Sequence, residues 1–324
     1  MNLRGQGESF VGALRAARSL RLHHGVIIEG GRGGGKTTAA MLIAQALLCE
    51  GEETSKACGD CGACKKVAMA NHPDLHVVTV PEDKVEIPVD DIRGLSSKLE
   101  KWAVEGRARV VIIDPADGLN PSGQNAILKT LEEPGVNTFL LLTSNRQGFL
   151  LPTVRSRASR LEILPLPSQA IIEELERKKI GDEATRAWAS TFCGGALGVA
   201  ADLIEADLCP IHQQIVDFIH KDHQISAVSL SRSSLAGAGS THETLRRSRL
   251  LLGLLRATMR VELESCLAPT DAGAYFAAGF ERWTGMVEAI FEAETDLDLR
   301  IAPEQVLTVA LLRWQEMLAA RPST

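Results

Sequence analysis

Eight residues, Gly30-Gly31-Arg32-Gly33-Gly34-Gly35-Lys36-Thr37, form a complete G-x-x-x-x-G-K-T phosphate loop. Glycines let the backbone curl with its N–H groups turned inward on phosphate oxygens, Lys36 reaches the β- and γ-phosphates, and the Thr37 hydroxyl ligates Mg²⁺. ATP and Mg²⁺ are therefore the expected ligands, held by this loop with Thr38 at the start of the helix that follows. A plain flexible turn would have a similar composition. Here, however, the loop follows the apolar run Val26-Ile27-Ile28 and opens a helical stretch, the order of elements the motif requires.

The run Arg109-Val110-Val111-Ile112-Ile113-Asp114 reads as a buried strand ending in a carboxylate, a Walker B arrangement that pairs Asp114 with Thr37 on the metal. Hydrolytic P-loop enzymes usually place a glutamate next, to orient the attacking water. This chain has Pro115, which carries no acid–base group, so hydrolysis is not expected of it. Asp117, three residues past the strand, is read as capping or solvating the next helix rather than standing in for that glutamate.

Four cysteines, Cys49, Cys58, Cys61 and Cys64, form a C-x8-C-x2-C-x2-C array with glycines between them. Four thiolates at this spacing close a tetrahedral zinc site with no position left for a catalytic water, so the zinc is read as structural. A redox Cys-x-x-Cys pair and an iron–sulfur cluster are the weaker alternatives. Cys193, Cys209 and Cys266 stand alone and are expected to be small buried residues.

Such sites need a scaffold, and 324 residues, 45% hydrophobic and 23% charged, suffice for two or three folded domains. A net charge of −6 argues against wholesale wrapping of nucleic acid, so DNA contact would come from a local basic stripe or from partners. The first six residues lack an apolar signal segment, and the run from Leu250 to Leu255 is too short to span a bilayer. The expected location is cytoplasmic, with no membrane partner, and there seven cysteines suit metal or burial better than disulfides.

Apolar runs at Val26–Ile28, Leu75–Val80, Val110–Ile113, Phe139–Leu142 and Leu161–Leu164 alternate with helical stretches near 36–48, 90–105 and 121–133. This alternation predicts a parallel sheet covered by helices, with the ligand at the carboxyl ends of the strands. Leu164-Pro165-Leu166-Pro167-Ser168 reads as a linker, and the chain beyond it as helical. Residues 229–240 read as a loop, whereas Leu250, Leu251, Leu254, Leu255, Thr258 and Met259 recur as the core stripe of a helix.

Three segments then become specific: Asn125-Ala126-Ile127-Leu128-Lys129-Thr130-Leu131-Glu132-Glu133-Pro134, Phe139-Leu140-Leu141-Leu142-Thr143-Ser144 and Thr153-Val154-Arg155-Ser156-Arg157. They resemble the bacterial clamp-loader AAA+ subunits, whose gamma/tau and delta-prime members share the cysteine array. The delta-prime type is favoured by Asp114-Pro115-Ala116-Asp117, where gamma/tau has Asp-Glu, by the lack of a long tail, and by the pattern at Asp296–Leu299, Val306-Leu307 and Leu311-Leu312. The likeness is strong over residues 5–165 and only a pattern after 210.

The resemblance implies an α/β fold: a RecA-like AAA+ parallel sheet with a zinc-binding insertion (residues 1–165), a small helical lid (166–208) and an all-helical collar (209–324). It places an arginine finger at Arg157, acting in trans on a neighbour's ATP, although Ala158 replaces the usual cysteine. Ser144, or Thr143, falls where the family senses the γ-phosphate. Val199 stands where hydrolytic members sense nucleotide with arginine, and Lys129 lies on the helix that faces DNA. The implied role is a stator that assembles with gamma/tau and delta subunits in a hetero-pentamer, part of the DNA polymerase III holoenzyme, to place the sliding clamp on primer–template DNA. The alternatives are an ATP-hydrolysing gamma/tau-type motor and a free-standing P-loop ATPase with a zinc module.

Overall fold

A computed structural model describes residues 3, 5–52, 56–81, 84, 86–99, 103–145, 148–220, 225–266, 272–299 and 301–319. The chain divides into two compact units, residues 1–170 and 171–324.

In the first unit the elements run α1 (Glu8–Arg18), β1 (Gly25–Glu29), α2 (Lys36–Leu48), α3 (Gly62–Ala68), β2 (Leu75–Thr79), α4 (Val89–Leu99) and β3 (Arg109–Asp114). A 3-10 turn (Ala116–Gly118), α5 (Pro121–Glu132), β4 (Thr138–Ser144), α6 (Pro152–Arg155) and β5 (Ser159–Glu162) follow. The five strands form one parallel sheet in the order β2-β3-β4-β1-β5. This is the parallel sheet covered by helices expected from the sequence.

The central strands β1, β3 and β4 are buried almost throughout, as strands covered on both faces must be. Because successive side chains point to opposite faces, one run of residues feeds two cores. Val26, Ile28, Val110, Ile112, Phe139 and Leu141 pack with Ala39, Ala40, Ile43 and Leu47 of α2. Ile27, Val111, Ile113, Leu140 and Leu142 pack instead with Ile92 of α4 and with Ile127 and Leu131 of α5. Truncating any one of these fully buried Ile or Leu side chains to alanine costs about 2–5 kcal/mol.

Of the helix expected over 90–105, the described part covers Val89–Leu99, and residues 104–108 bend. The cause is buried Asp74, whose carboxylate accepts the N–H groups of Val104 (2.6 Å), Glu105 (2.9 Å) and Gly106 (2.6 Å), withdrawing them from helical bonding. Strand β5 begins two residues before the apolar run at Leu161, because Ser159 already pairs with Val26. It ends before Leu164, whose backbone N–H and carbonyl are both bonded by the Gln6 side chain.

From α7 (Ser168–Arg177) the chain is helical: α8 (Glu183–Phe192), α9 (Leu197–Glu205), α10 (Cys209–His220), α11 (Ala227–Leu235), α12 (Thr241–Cys266), α13 (Ala272–Asp298) and α14 (Pro303–Ala319). Asp182 and Thr185 form a reciprocal capping box that fixes the start of α8. Leu251, Leu254, Leu255, Thr258 and Met259 of α12 are buried as the core stripe expected of them. Trp314 of α14 is fully buried and donates its indole N–H to the Met286 carbonyl at 2.9 Å.

The loop expected at 229–240 is a helix, α11, as far as Leu235. Its serines read as loop formers, yet Ser231 and Ser234 are buried, and the Ser231 hydroxyl meets that of Thr308 on α14 at 2.8 Å. Small side chains let these helices approach closely. Cys193 is buried as expected, Cys209 is half-exposed, and the Cys266 side chain lies outside the described residues. Among the described residues no helix is long and apolar enough to cross a membrane.

Candidate nucleotide and metal sites

The C-terminal ends of β1, β3 and β4 meet at one edge of the sheet. Glu29, the last residue of β1, pairs with Ser144, the last of β4, and the Gly30 N–H then donates to the Ser144 carbonyl at 3.3 Å. The phosphate loop starts there and ends where Lys36 opens α2. Gly35 has φ +95°, a conformation side chains resist, and a methyl group on Gly34 would sit 3.0 Å from the Gly31 carbonyl oxygen. Only a loop this poor in side chains can curl so tightly.

Lys36 is buried and donates to the carbonyls of Gly30 (3.0 Å) and Gly31 (2.7 Å), so its ammonium lies inside its own loop. Burial pushes its pKa down, against the opposing pull of Asp114 and Asp117 nearby. Thr37 is exposed and Thr38 half-buried in the first turn of α2, and Arg32 and Gly33 are exposed at the loop's tip. Residues 30–38, Asp114 and Ser144 thus fall at one edge of the sheet. Thr37 and Asp114 offer the hard oxygen donors that suit Mg²⁺, so the residues present fit that ion.

Asp114 accepts a hydrogen bond from the Thr143 hydroxyl. Asp117 lies in the 3-10 turn and accepts from the Ser144 hydroxyl at 2.6 Å and the Asn145 N–H at 2.7 Å. It does not cap α5. That task falls to Asn120, whose side-chain oxygen accepts the Gly123 N–H at 2.9 Å, with Pro121 at the first helical position. Sequence spacing could mark Asp117 as a carboxylate near the site, but its partners lie 27 and 28 residues away.

The four cysteine sulfurs lie within 4.8 Å of one another. Cys49 and Cys58 are 3.6 Å apart and Cys58 and Cys64 4.0 Å, against the roughly 3.8 Å that tetrahedral Zn–S bonds of 2.3 Å require. Cys49 ends α2, and Cys61 caps α3, accepting the Cys64 N–H. Backbone N–H groups, that of Cys61 foremost, bring the Cys58 thiol down to about 6, favouring the thiolate, whereas burial raises that of Cys64. A side chain on Gly51 would strike Cys58 Sγ at 2.9 Å. Arg18 of α1 fastens the module by donating to the carbonyls of Cys49 (2.6 Å) and Gly51 (2.5 Å). All four cysteines are free of disulfides, and the donor set fits zinc.

Arg157 lies between α6 and β5, at the N-terminal edge of the sheet. It pairs with Glu132 of α5 (2.8 Å) and donates to the Thr153 carbonyl (3.1 Å). At about 3.3 Å per residue, the five-residue strand β1 puts some 16 Å between this edge and the phosphate loop. The structure therefore does not bring Arg157 to its own chain's loop. Lys129 is exposed in the last turn of α5, and Val199 is half-buried in the first turn of α9.

A sequence family described as DNA polymerase III, delta subunit, matches residues 8–167. The DNA polymerase III subunit delta' of Pseudomonas aeruginosa is 34% identical over 65% of this chain and 65% of its own length. That of Bacillus subtilis is 34% identical over 51% of this chain and 50% of its own. The DNA polymerase III subunit gamma/tau of Mycobacterium bovis matches at 27% identity over 92% of this chain and 45% of its own length. The matched region thus spans about half to two thirds of the delta' relatives. The region holding the phosphate loop, the cysteine module and Arg157 thus matches the family described as DNA polymerase III, delta subunit, and is similar to delta' subunits and to gamma/tau.

Proposed function

We propose that this chain is a clamp-loader subunit of the delta-prime type. It acts as the stator of a hetero-pentamer with gamma/tau and delta subunits in the cytoplasm, and that ring places the sliding clamp on primer–template DNA. In this reading residues 30–38 hold ATP with Thr37 and Asp114 on Mg²⁺, residues 166–208 form the lid, and residues 209–324 form the collar. Mg²⁺, when bound, neutralises phosphate charge.

The observation that carries the reading is the position of Arg157, one strand length from its own loop while Asp114 is followed by Pro115. A guanidinium so placed serves a phosphate held by another subunit, stabilising the charge that develops in transfer, while the home site has Pro115 where a water-ordering glutamate would stand.

Steady-state ATPase of the isolated chain tests this. Little or no turnover is expected, and robust turnover abolished by Lys36→Ala would favour the gamma/tau-type motor, a reading that the longer gamma/tau match supports. Failure to co-purify with clamp-loader subunits would favour a free-standing P-loop ATPase instead.

A further inference from the structure

Thr143 and Ser144 close the C-terminal end of β4, and each hydroxyl has a single proton to donate. Thr143 directs its own to Asp114, and Ser144 directs its own to Asp117. The next donor along the chain, the Asn145 N–H, goes to the other oxygen of Asp117. The three donors at this mouth of the crevice are therefore aimed at carboxylates of the β3 turn.

Asp117 takes two of them, one on each oxygen, and stands close enough to Lys36 to favour its charged form. A two-oxygen anion held by a hydroxyl and a backbone N–H beside a buried lysine has the surroundings a phosphate group would seek. Ser144 also borders the phosphate loop directly, since its carbonyl accepts the Gly30 N–H. Its hydroxyl cannot donate to a nucleotide while it donates to Asp117.

We propose that Asp117 is a built-in anion occupying the donors that a terminal phosphate would otherwise engage, so that the crevice holds nucleoside di- and triphosphates with near-equal strength. Asp117 is then a specificity-determining residue that withholds recognition of the terminal phosphate. The inference rests on the nucleotide-binding reading above.

Calorimetric titration of the full chain with ADP and with the β,γ-imido analogue of ATP, both with Mg²⁺, tests it. The wild type is expected to bind the two within about threefold of each other. Asp117→Ala frees a hydroxyl and an N–H, and the preference for the triphosphate should rise about tenfold, the size of one hydrogen bond to a charged group. Adding Ser144→Ala to that variant should remove the hydroxyl's share of the gain and leave that of the Asn145 N–H, which separates a released donor from mere loss of charge. Should Asp117→Ala fail to fold, Asp117→Asn carries the test with an expected gain of about threefold, since its amide oxygen still accepts one bond.

A wild type that prefers the triphosphate more than about tenfold, an unchanged ratio in the variant that folds, or a gain that Ser144→Ala does not reduce overturns the proposal. Absence of any nucleotide binding by the wild type overturns the nucleotide reading with it, whereas binding with an unmoved ratio overturns the role of Asp117 alone.

Discussion

The two ends of β1 carry opposite equipment. Beyond Glu29 lie a glycine-rich loop, a buried lysine and two carboxylates, the parts that the proposed reading assigns to holding a nucleotide. Before Gly25 lies Arg157, on the surface beside Glu132 and at the far edge from its own loop. In a parallel sheet every carboxyl end falls on one side, so the side of a strand on which a residue sits decides whether it can join that chain's own site. In the proposed reading, holding and reaching are thereby separated within one sheet, with Arg157 placed to serve a neighbour rather than its own loop.

Arg157→Ala gives the sharpest test of this separation. In the reconstituted complex it should lower kcat for ATP hydrolysis about a thousandfold at the one site it serves, the low end of what an arginine finger contributes. The isolated chain should keep its nucleotide affinity and its melting temperature, because the side chain is exposed and touches no part of the loop. A loss of nucleotide binding in the isolated variant would break the comparison, since Arg157 would then belong to the holding end.

Lys36→Ala is the converse. It should weaken ATP binding to the isolated chain about a hundredfold, roughly 2.7 kcal/mol, while the complex retains most of its turnover at the other subunits' sites. Equal damage to the complex from Lys36→Ala and Arg157→Ala would mean that the home site also drives the cycle. The stator reading would then give way to the motor.

The holding end was the more legible of the two in sequence, because its parts are contiguous. Residues 30–37 and the run ending at Asp114 announce themselves by spacing, and the strands by apolar runs that burial on both faces demands. The capping role expected of Asp117 falls instead to Asn120, since either residue type suits a cap. The choice was made by Ser144 and Asn145, distant residues that claimed Asp117 first. Likewise α11 hid behind serines whose preference for loops was overridden by burial against α14. Asp74, which bends the chain by claiming the N–H groups of residues 104–106, acts from before β2 and leaves no local trace.

Metal removal should affect holding alone, and modestly. Metal analysis is expected to find one zinc per chain, lost in Cys64→Ser. Because Cys49 terminates α2, whose other end is the phosphate loop, loosening the module should lower nucleotide affinity about threefold, a fraction of the Lys36 effect. It should also lower the melting temperature by several degrees, at about 2–4 °C for each kcal/mol lost in a chain of this order of size. A folded, metal-free wild type of unchanged melting temperature would remove zinc from the account.

The smallest expected effect probes the reaching end. Glu132 holds Arg157 in the isolated chain at 2.8 Å, with the two side chains 49% and 39% exposed. A pair so exposed is worth about 0.2–1 kcal/mol, weakening with salt. If Arg157 must leave Glu132 to meet a neighbour's phosphate, Glu132→Gln lowers that cost while keeping the side chain's shape. ATPase of the reconstituted complex should then rise about 1.4- to fivefold at low ionic strength and converge on the wild type as salt is added. A fall in rate would instead make Glu132 a support that aims the arginine, joining it to the reaching end as a positioning residue. A rate unmoved at any ionic strength would mean that the contact is incidental and that Arg157 is already free to reach.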